Sequence, residues 1–492
     1  MTVIIAVLVV YLIVLLVLGA WGSKSSGSVA GYYVAEKQLP SWVIAFSSTS
    51  TGESAWLLLG LTGMGYAVGV HAFWVILGEF LGVLIAWKVV ARPFKEYTDR
   101  YDSITVPDYL ESRFHDVGHV MRVVSMVIIV SMVTAYTAAQ LTASGKAFSS
   151  FLETSYSTGV WIGAAVILYY TTVGGFKAVA YSDLLQGILM LICLAVLPVV
   201  GIAAVGGWVP MMDGLRAEDA NLLGLMGANG FSLRGVIDVA GFIAIGLAFM
   251  GAPQLLTRFI AARGHRDIVR GGRMAVFIIL IFDVGAVLGG MAGRVLFPGL
   301  LDQETILPVM SSELFPALFT GIFLVVVLAA IMSTVDSLLI LASSSVVRDV
   351  MQQIYNPDMS ERRLSLVGKG VTVVIGVVAL AAALTEARAI FWFILFAWSG
   401  LASAFTPVVL CSLFWKRTTR EGAIAGMVGG FLAAVLWVLL FKEQFFELYE
   451  MIPGFIVGFA ATIVVSLATS PPEGAAEEMD SVREAVVEPA TV

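Results

Sequence analysis

Ser333, Thr334, Asp336 and Ser337 put four oxygen-bearing side chains inside an otherwise apolar run, 329–337. At helical spacing Ser333, Asp336 and Ser337 share one face (i, i+3, i+4), with Thr334 at its edge. Hydroxyl and carbonyl oxygens are what a hard cation such as sodium takes in exchange for its water. Serine and threonine also bond back to their own helix and let helices pack closely. The aspartate tips the segment toward ion chemistry, because a carboxylate at membrane depth is costly unless a cation or proton accompanies it. A second polar run, Ser47-Ser48-Thr49-Ser50-Thr51-Gly52-Glu53-Ser54, falls between apolar segments 42–46 and 55–60. A span needs about 20 mostly apolar residues, which places this run near mid-bilayer. Irregular chain there survives only inside protein or around a cavity, where free carbonyls and helix ends suit a cation and a charged solute.

The elements that must carry these groups are membrane helices. The chain has 492 residues, of which 59% are hydrophobic and 13% charged, so it reads as an all-α polytopic membrane protein. Apolar segments fall near 2–22, 40–68, 71–92, 120–146, 157–175, 183–206, 235–262, 273–296, 314–342, 366–385, 389–414, 421–441 and 449–469, about thirteen spans. The uncharged start is read as a first span rather than a cleaved signal. If the N-terminus lies outside, every Lys and Arg except Lys146, Arg216, Arg234, Arg294, Arg388 and Lys442 falls on the inner side. That asymmetry predicts an outside N-terminus and a cytoplasmic C-terminus. The basic clusters at 258–273 and 416–420 then serve as topology determinants rather than lipid or nucleic-acid sites.

Phe249-Met250-Gly251-Ala252-Pro253-Gln254 interrupts the span at 235–262. Gly and Pro free backbone groups and disfavour a straight helix. The two interruptions lie five spans apart, as in carriers built from two inverted five-helix repeats that bind solute between them. Asp183 has three readings: a helix cap, a partner of Lys177, or a sodium ligand. Tyr136, Gln140, Trp398 and Ser399 are further polar or amphipathic groups inside spans. Gly422, Gly426 and Gly430 read as a close-packing stripe. Cys193 and Cys411 read as packing residues, and the four histidines show no ligand spacing. No nucleotide-binding loop is visible, which argues against ATP as the energy source.

With these residues in view, the chain resembles the solute:sodium symporters, and within them the sodium/proline symporters, over roughly 5–470. The motifs that carry the resemblance are Glu53-Ser54-Ala55-Trp56-Leu57-Leu58-Leu59-Gly60-Leu61-Thr62-Gly63, Val106-Pro107-Asp108-Tyr109, Gly174-Gly175-Phe176 with Asp183-Leu184-Leu185-Gln186, 329–334, Ala397-Trp398-Ser399-Gly400 and 415–423. The resemblance implies a LeuT-type five-plus-five inverted repeat: 2–22 an extra helix, 40–206 the first repeat, 235–414 the second, 421–469 two extra helices. Together 1–470 forms the transport domain, and 471–492 is an acidic, disordered cytoplasmic tail. It further implies a sodium site made by the carbonyls of Ser50, Glu53 and Ala330 and the hydroxyls of Ser333 and Thr334. A second sodium site would use Asp183, Ser333, Asp336 and Ser337, with Asp336 standing where those relatives have a serine. Ser54 matches a serine important for proline and sodium binding, Tyr136 a substrate-side tyrosine, and Lys37 a basic residue at the inner mouth. The solute pocket departs from the pattern: Ile245 and Phe249 stand where proline carriers have Trp and Tyr, and Gly52 and Glu53 replace Asp and Met.

The expected function is therefore sodium-coupled import of a small organic solute, L-proline or a related amino acid, by alternating access, with Na+ as the coupling ion. The solute would meet Ser54, Tyr136, Ile245, Phe249, Pro253 and Trp398. The protein is expected in the plasma membrane among lipid, as a monomer and without nucleic acid. The rivals are a sodium symporter for another amino acid, a carboxylate or a sugar acid, and a membrane solute sensor. An intramembrane enzyme would need converging acid, base or metal ligands, which the isolated Asp and Glu residues do not supply.

Overall fold

The computed structural model describes residues 2–23, 28–385 and 390–487. Lys24 and Arg388, two of the residues used for topology, lie outside them. Among the described residues the regular structure is helical apart from one isolated bridge, Leu39 with Ala262. Eleven helical segments are long and apolar enough to cross a membrane. The difference from thirteen arises in two places. Residues 41–100 form one segment of that kind, although the chain leaves helical geometry inside it, at Gly69 (φ 56°). Tyr156–Gly174, the expected span near 157–175, has a shorter apolar stretch, Tyr156–Tyr169.

Burial sorts the spans. Ala317–Ser344 and Ile390–Phe414 are the most enclosed, while Thr2–Ser23 is largely exposed at the edge. Ala317–Ser344 packs against Val120–Leu152, Ser41–Ala55 and Phe176–Val205 at once. Its serines and threonines therefore look into protein rather than lipid. The stripe Gly422, Gly426 and Gly430 lets Arg420–Leu436 lie directly on Met451–Ala468, meeting Gly458, Thr462 and Ser466.

The start of the first interrupted span and the end of the second are joined. Leu39 donates its N–H to the Ala261 carbonyl at 3.0 Å and accepts from the Arg263 N–H at 3.0 Å. Asp267 reinforces the joint by accepting the Ser41 N–H at 2.8 Å.

The acidic tail departs from the expected disorder. Ala475–Val487 is a helix whose Ala475, Met479 and Val482 are buried. It lies along Ala91–Arg100, with Arg100 donating to Ser481, Tyr101 to Glu478 and Lys416 to Asp480. Basic and phenolic partners brought from distant sequence positions neutralise and order a segment that would repel itself in isolation. Burial beside Glu478 pushes the Tyr101 phenol well above its usual range, so it keeps the proton it donates.

Candidate functional site

The first interruption is narrower than its composition suggests. Residues 47–53 remain helical and, apart from the half-buried Gly52, buried, within Ser41–Ala55. Thr49 and Ser50 donate their hydroxyls to the carbonyls of Ala45 (3.0 Å) and Phe46 (2.7 Å), the back-bonding that lets hydroxyl residues persist in a buried helix. The break falls on Ser54 alone, at φ 53° and ψ −164°, a region that side-chain-bearing residues avoid at a cost of about 1–3 kcal/mol. Ser54 Oγ compensates by accepting the Trp56 N–H at 3.1 Å, and Gln140 Oε1 accepts the Ala55 N–H at 3.3 Å. A wide π-turn, Trp56–Leu61, follows.

The second interruption is longer. Leu233–Ala244 gives way to a tight 3-10 turn, Ile245–Met250, and helix resumes at Pro253–Ala261. Pro253 occupies the first helical turn, where a missing N–H costs nothing. Gly251 lies against Thr406 so tightly that a Cβ would stand 2.6 Å from its hydroxyl.

The breaks meet around aromatic rings. Trp398 packs edge-on against Phe249 at 5.3 Å and against Tyr136 at 6.5 Å, and its indole N–H donates to the Ile245 carbonyl at 3.1 Å. Ser54 lies near Tyr136. Gly52 faces Phe249, leaving only 2.9 Å between an added Cβ and the ring. Five of the six expected solute residues thus form one cluster; Pro253 shapes the turn beside it. All six are buried. A cavity of about 460 Å³, lined among others by Arg234, Phe242, Ile245, Trp392 and Lys442, reaches the cluster at Ile245.

Four of the five positions expected for the sodium site converge. Ser333 Oγ donates to the carbonyls of Ser50 (3.2 Å) and Ala330 (3.1 Å), and Thr334 Oγ1 to that of Thr51 (3.1 Å). Thr51 Oγ1 returns a bond to the Ser333 carbonyl at 3.2 Å. Oxygens from two facing helices are thus within one hydrogen bond of each other in a dry interface, a donor set that suits a hard monovalent cation. The Glu53 carbonyl instead accepts the Trp56 N–H.

The positions expected for a second sodium hold a different cation. Arg258 reaches in from Pro253–Ala261, and its Nη2 donates to Asp183 Oδ2 (3.1 Å), Thr51 Oγ1 (2.7 Å) and Ser337 Oγ. Its Nε donates to Ser47 Oγ at 3.1 Å, and Ser47 in turn donates to Asp183 at 2.6 Å. The guanidinium stacks over Phe176 and is 1% exposed. A sodium ion about 4 Å from a fixed positive charge is opposed by roughly 4 kcal/mol at an effective dielectric near 20. Asp183 pairs with Arg258, and the guanidinium stands among the positions expected for the second sodium. The basic cluster at 258–273 thus contributes more than topology; the place of Arg258 inside a span was the available signal.

The remaining expectations divide. Lys37 donates to the Thr98 carbonyl (3.0 Å) and Asp99 (3.3 Å), beside the start of the first broken helix. The Glu53 side chain meets Glu79 and Asp283, two acids from the spans near 71–92 and 273–296 that the sequence did not single out. Cys193 and Cys411 are free and buried.

Comparison with known proteins follows the same lines. The family model for the sodium:solute symporter family matches residues 32–430. Sodium/proline symporters of Staphylococcus aureus, strains JH9 and NCTC 8325, are each 33% identical over 97% of this chain and 95% of their own. A substrate-bound, outward-open Na+-coupled sialic acid symporter superposes with a TM-score of 0.80 at 19% identity, covering 95% of this chain and 98% of its own. A closed nucleobase-cation-symport-1 family transporter superposes with a TM-score of 0.56 at 13% identity, covering 91% and 98%.

Proposed function

The chain belongs to the sodium:solute symporter family, with the LeuT-type fold and Na+ as coupling ion, and on that premise we propose that it imports L-proline or a related small amino acid. Its family consists of sodium-coupled transporters rather than enzymes. The observation that carries the reading is the hydroxyl–carbonyl contact of Ser333 and Thr334 with the first broken helix, beside the closed aromatic cluster. Sodium entering there replaces the hydroxyl-to-carbonyl bonds with shared coordination and locks the two helices together. The solute then finds a prepared pocket. Helix N-termini attract anions and C-termini cations. The start of Pro253–Ala261 offers its N–H groups to a carboxylate, and the end of the coil before Ser54 offers carbonyls to an ammonium. Between them Trp398, Phe249 and Ile245 give an aliphatic ring apolar walls.

The cavity lined by Arg234 and Lys442 is the outer approach, and the bonds of Lys37 hold the inner side shut until both cargoes are aboard. This fits an outside N-terminus, a cytoplasmic C-terminus, and a monomer in the plasma membrane. Each sodium entering through 100 mV gains about 2.3 kcal/mol, enough for roughly fortyfold accumulation from the electrical term alone. The apolar Ile245 and Phe249 favour one alternative, a different small solute carried by the same ion.

Labelled proline is offered to proteoliposomes under an inward sodium gradient and under potassium. Uptake only with sodium is expected. Sodium-dependent flux of another compound with none for proline would move the substrate and keep the symport. No sodium-stimulated flux of any amino acid, carboxylate or sugar acid would end the reading.

A further inference from the structure

Five carboxylate oxygens near the first break have no hydrogen-bond partner although they are sealed from solvent: both of Glu53, both of Asp283, and Oε2 of Glu79. Their side chains come from three different elements, Ser41–Ala55, Phe73–Ile85 and His265–Leu296. Glu79 is 2% exposed and the other two 0%. An oxygen from each lies within 4.8 Å of the others. Among the described residues, the phenols of Tyr136 and Tyr449 are in electrostatic reach, and they bring no positive charge. Among the described residues, no lysine, arginine or histidine forms an ion pair with the three acids.

This arrangement is expensive as a piece of packing. A buried ion costs several kcal/mol after relaxation unless it is paired, and three carboxylates facing one centre add mutual repulsion. The unpartnered oxygens converge instead of turning toward backbone N–H groups. Convergent oxygens on rigid helices, without histidine or cysteine, are the donor set of a hard cation.

We propose that Glu53, Glu79 and Asp283 form a metal-cation site that takes a hard, oxygen-coordinated ion, Na+ or Ca2+. It is separate from the site at Ser333 and Thr334, because Glu53 looks toward the helices of Glu79 and Asp283 while Ser50 and Thr51 meet Ala317–Ser344. An ion there draws the coil that ends at Glu53 onto two neighbours, immediately before the strained Ser54. Cation binding thereby fixes the geometry of the break and of the solute cluster beyond it. The site rests on the carrier reading only in expecting the two ions to load together.

Equilibrium binding of radiolabelled sodium and calcium to the purified full chain tests it, using wild type, Glu79→Gln, Asp283→Asn and the double variant Ser333→Ala/Thr334→Ala. Wild type is expected to bind two ions per chain, either two sodium or one sodium and one non-competing calcium. Each carboxamide variant loses one of them, and the double alanine variant loses the other. A single bound sodium abolished by the double alanine variant would uphold the carrier reading and overturn this site. Calcium bound without sodium would do the reverse. Unchanged binding of both cations in Glu79→Gln and Asp283→Asn would also overturn it. If either carboxamide variant fails to fold, the stoichiometries of wild type and of the double alanine variant decide alone.

Discussion

Asp183 and Asp336 share their chamber with the guanidinium of Arg258, whereas Glu53, Glu79 and Asp283 have no basic partner among the described residues. Both groups adjoin the first broken helix and both are fully enclosed. An arginine tethered to its own helix cannot dissociate or lose its proton under any ordinary condition. It offsets one of the two carboxylate charges in the first group and ties the two broken helices and Ala317–Ser344 into one unit. The second group, without a resident charge, can be neutralised only by something that arrives and leaves. A transport cycle needs both kinds: a fixed charge that holds the frame, and exchangeable ones that report whether the cargo is present.

The hardest test of this contrast is Arg258→Ala. Removing one partner of a buried pair costs about 3–5 kcal/mol, read as a fall in thermal stability in detergent. Sodium should recover part of the loss, since Asp183, Thr51 and Ser337 would then be free to accept it. A variant as stable as wild type with no new sodium response would break the comparison. Next in size, Ser333→Ala removes an oxygen that contributes about 1.5–3 kcal/mol when it bonds a charge. The sodium concentration for half-maximal uptake should rise roughly 10- to 150-fold. Gly52→Ala acts on the solute side: the new methyl meets the Phe249 ring, and overpacking of this kind costs about 1 kcal/mol or more. About fivefold weaker solute binding with an unchanged sodium requirement would sharpen the division between pocket and ion site. The smallest effect is expected from Tyr101→Phe, which deletes the bond to Glu478 and about 1 kcal/mol. Hydrogen exchange should quicken across 475–487 while uptake is unaltered; unchanged exchange would show that the tail helix docks without this bond.

Much of this was legible from residue types. The spans announced themselves by hydropathy, and the two interruptions by polar and Gly-Pro runs at matching positions. The meeting of Ser333 with the Ser50 carbonyl was implied by the family resemblance, whereas the part of Thr51 was not read from the sequence. The place of the break was not legible, because hydroxyl residues such as Thr49 and Ser50 satisfy a helix by bonding back to it and only the backbone of Ser54 departs. Arg258 was hidden by its nearness to a basic loop, where charge ordinarily sets orientation. Glu79 and Asp283 were invisible for another reason: a lone acid in a span has no meaning until three helices bring their acids together. The tail helix depends on Arg100, Tyr101 and Lys416, partners far away along the chain.

The short bridge of Leu39 with Ala262 constrains how such a molecule opens. It splices the start of one half-helix to the finish of the other, with Asp267 as a rivet. Neither half can swing by itself; the two behave as a single door leaf hung on Ser54 and Gly251. A clamp placed on either one, such as a cross-link near Ser41 or Ala261, should therefore jam the release of both cargoes together, never one without the other.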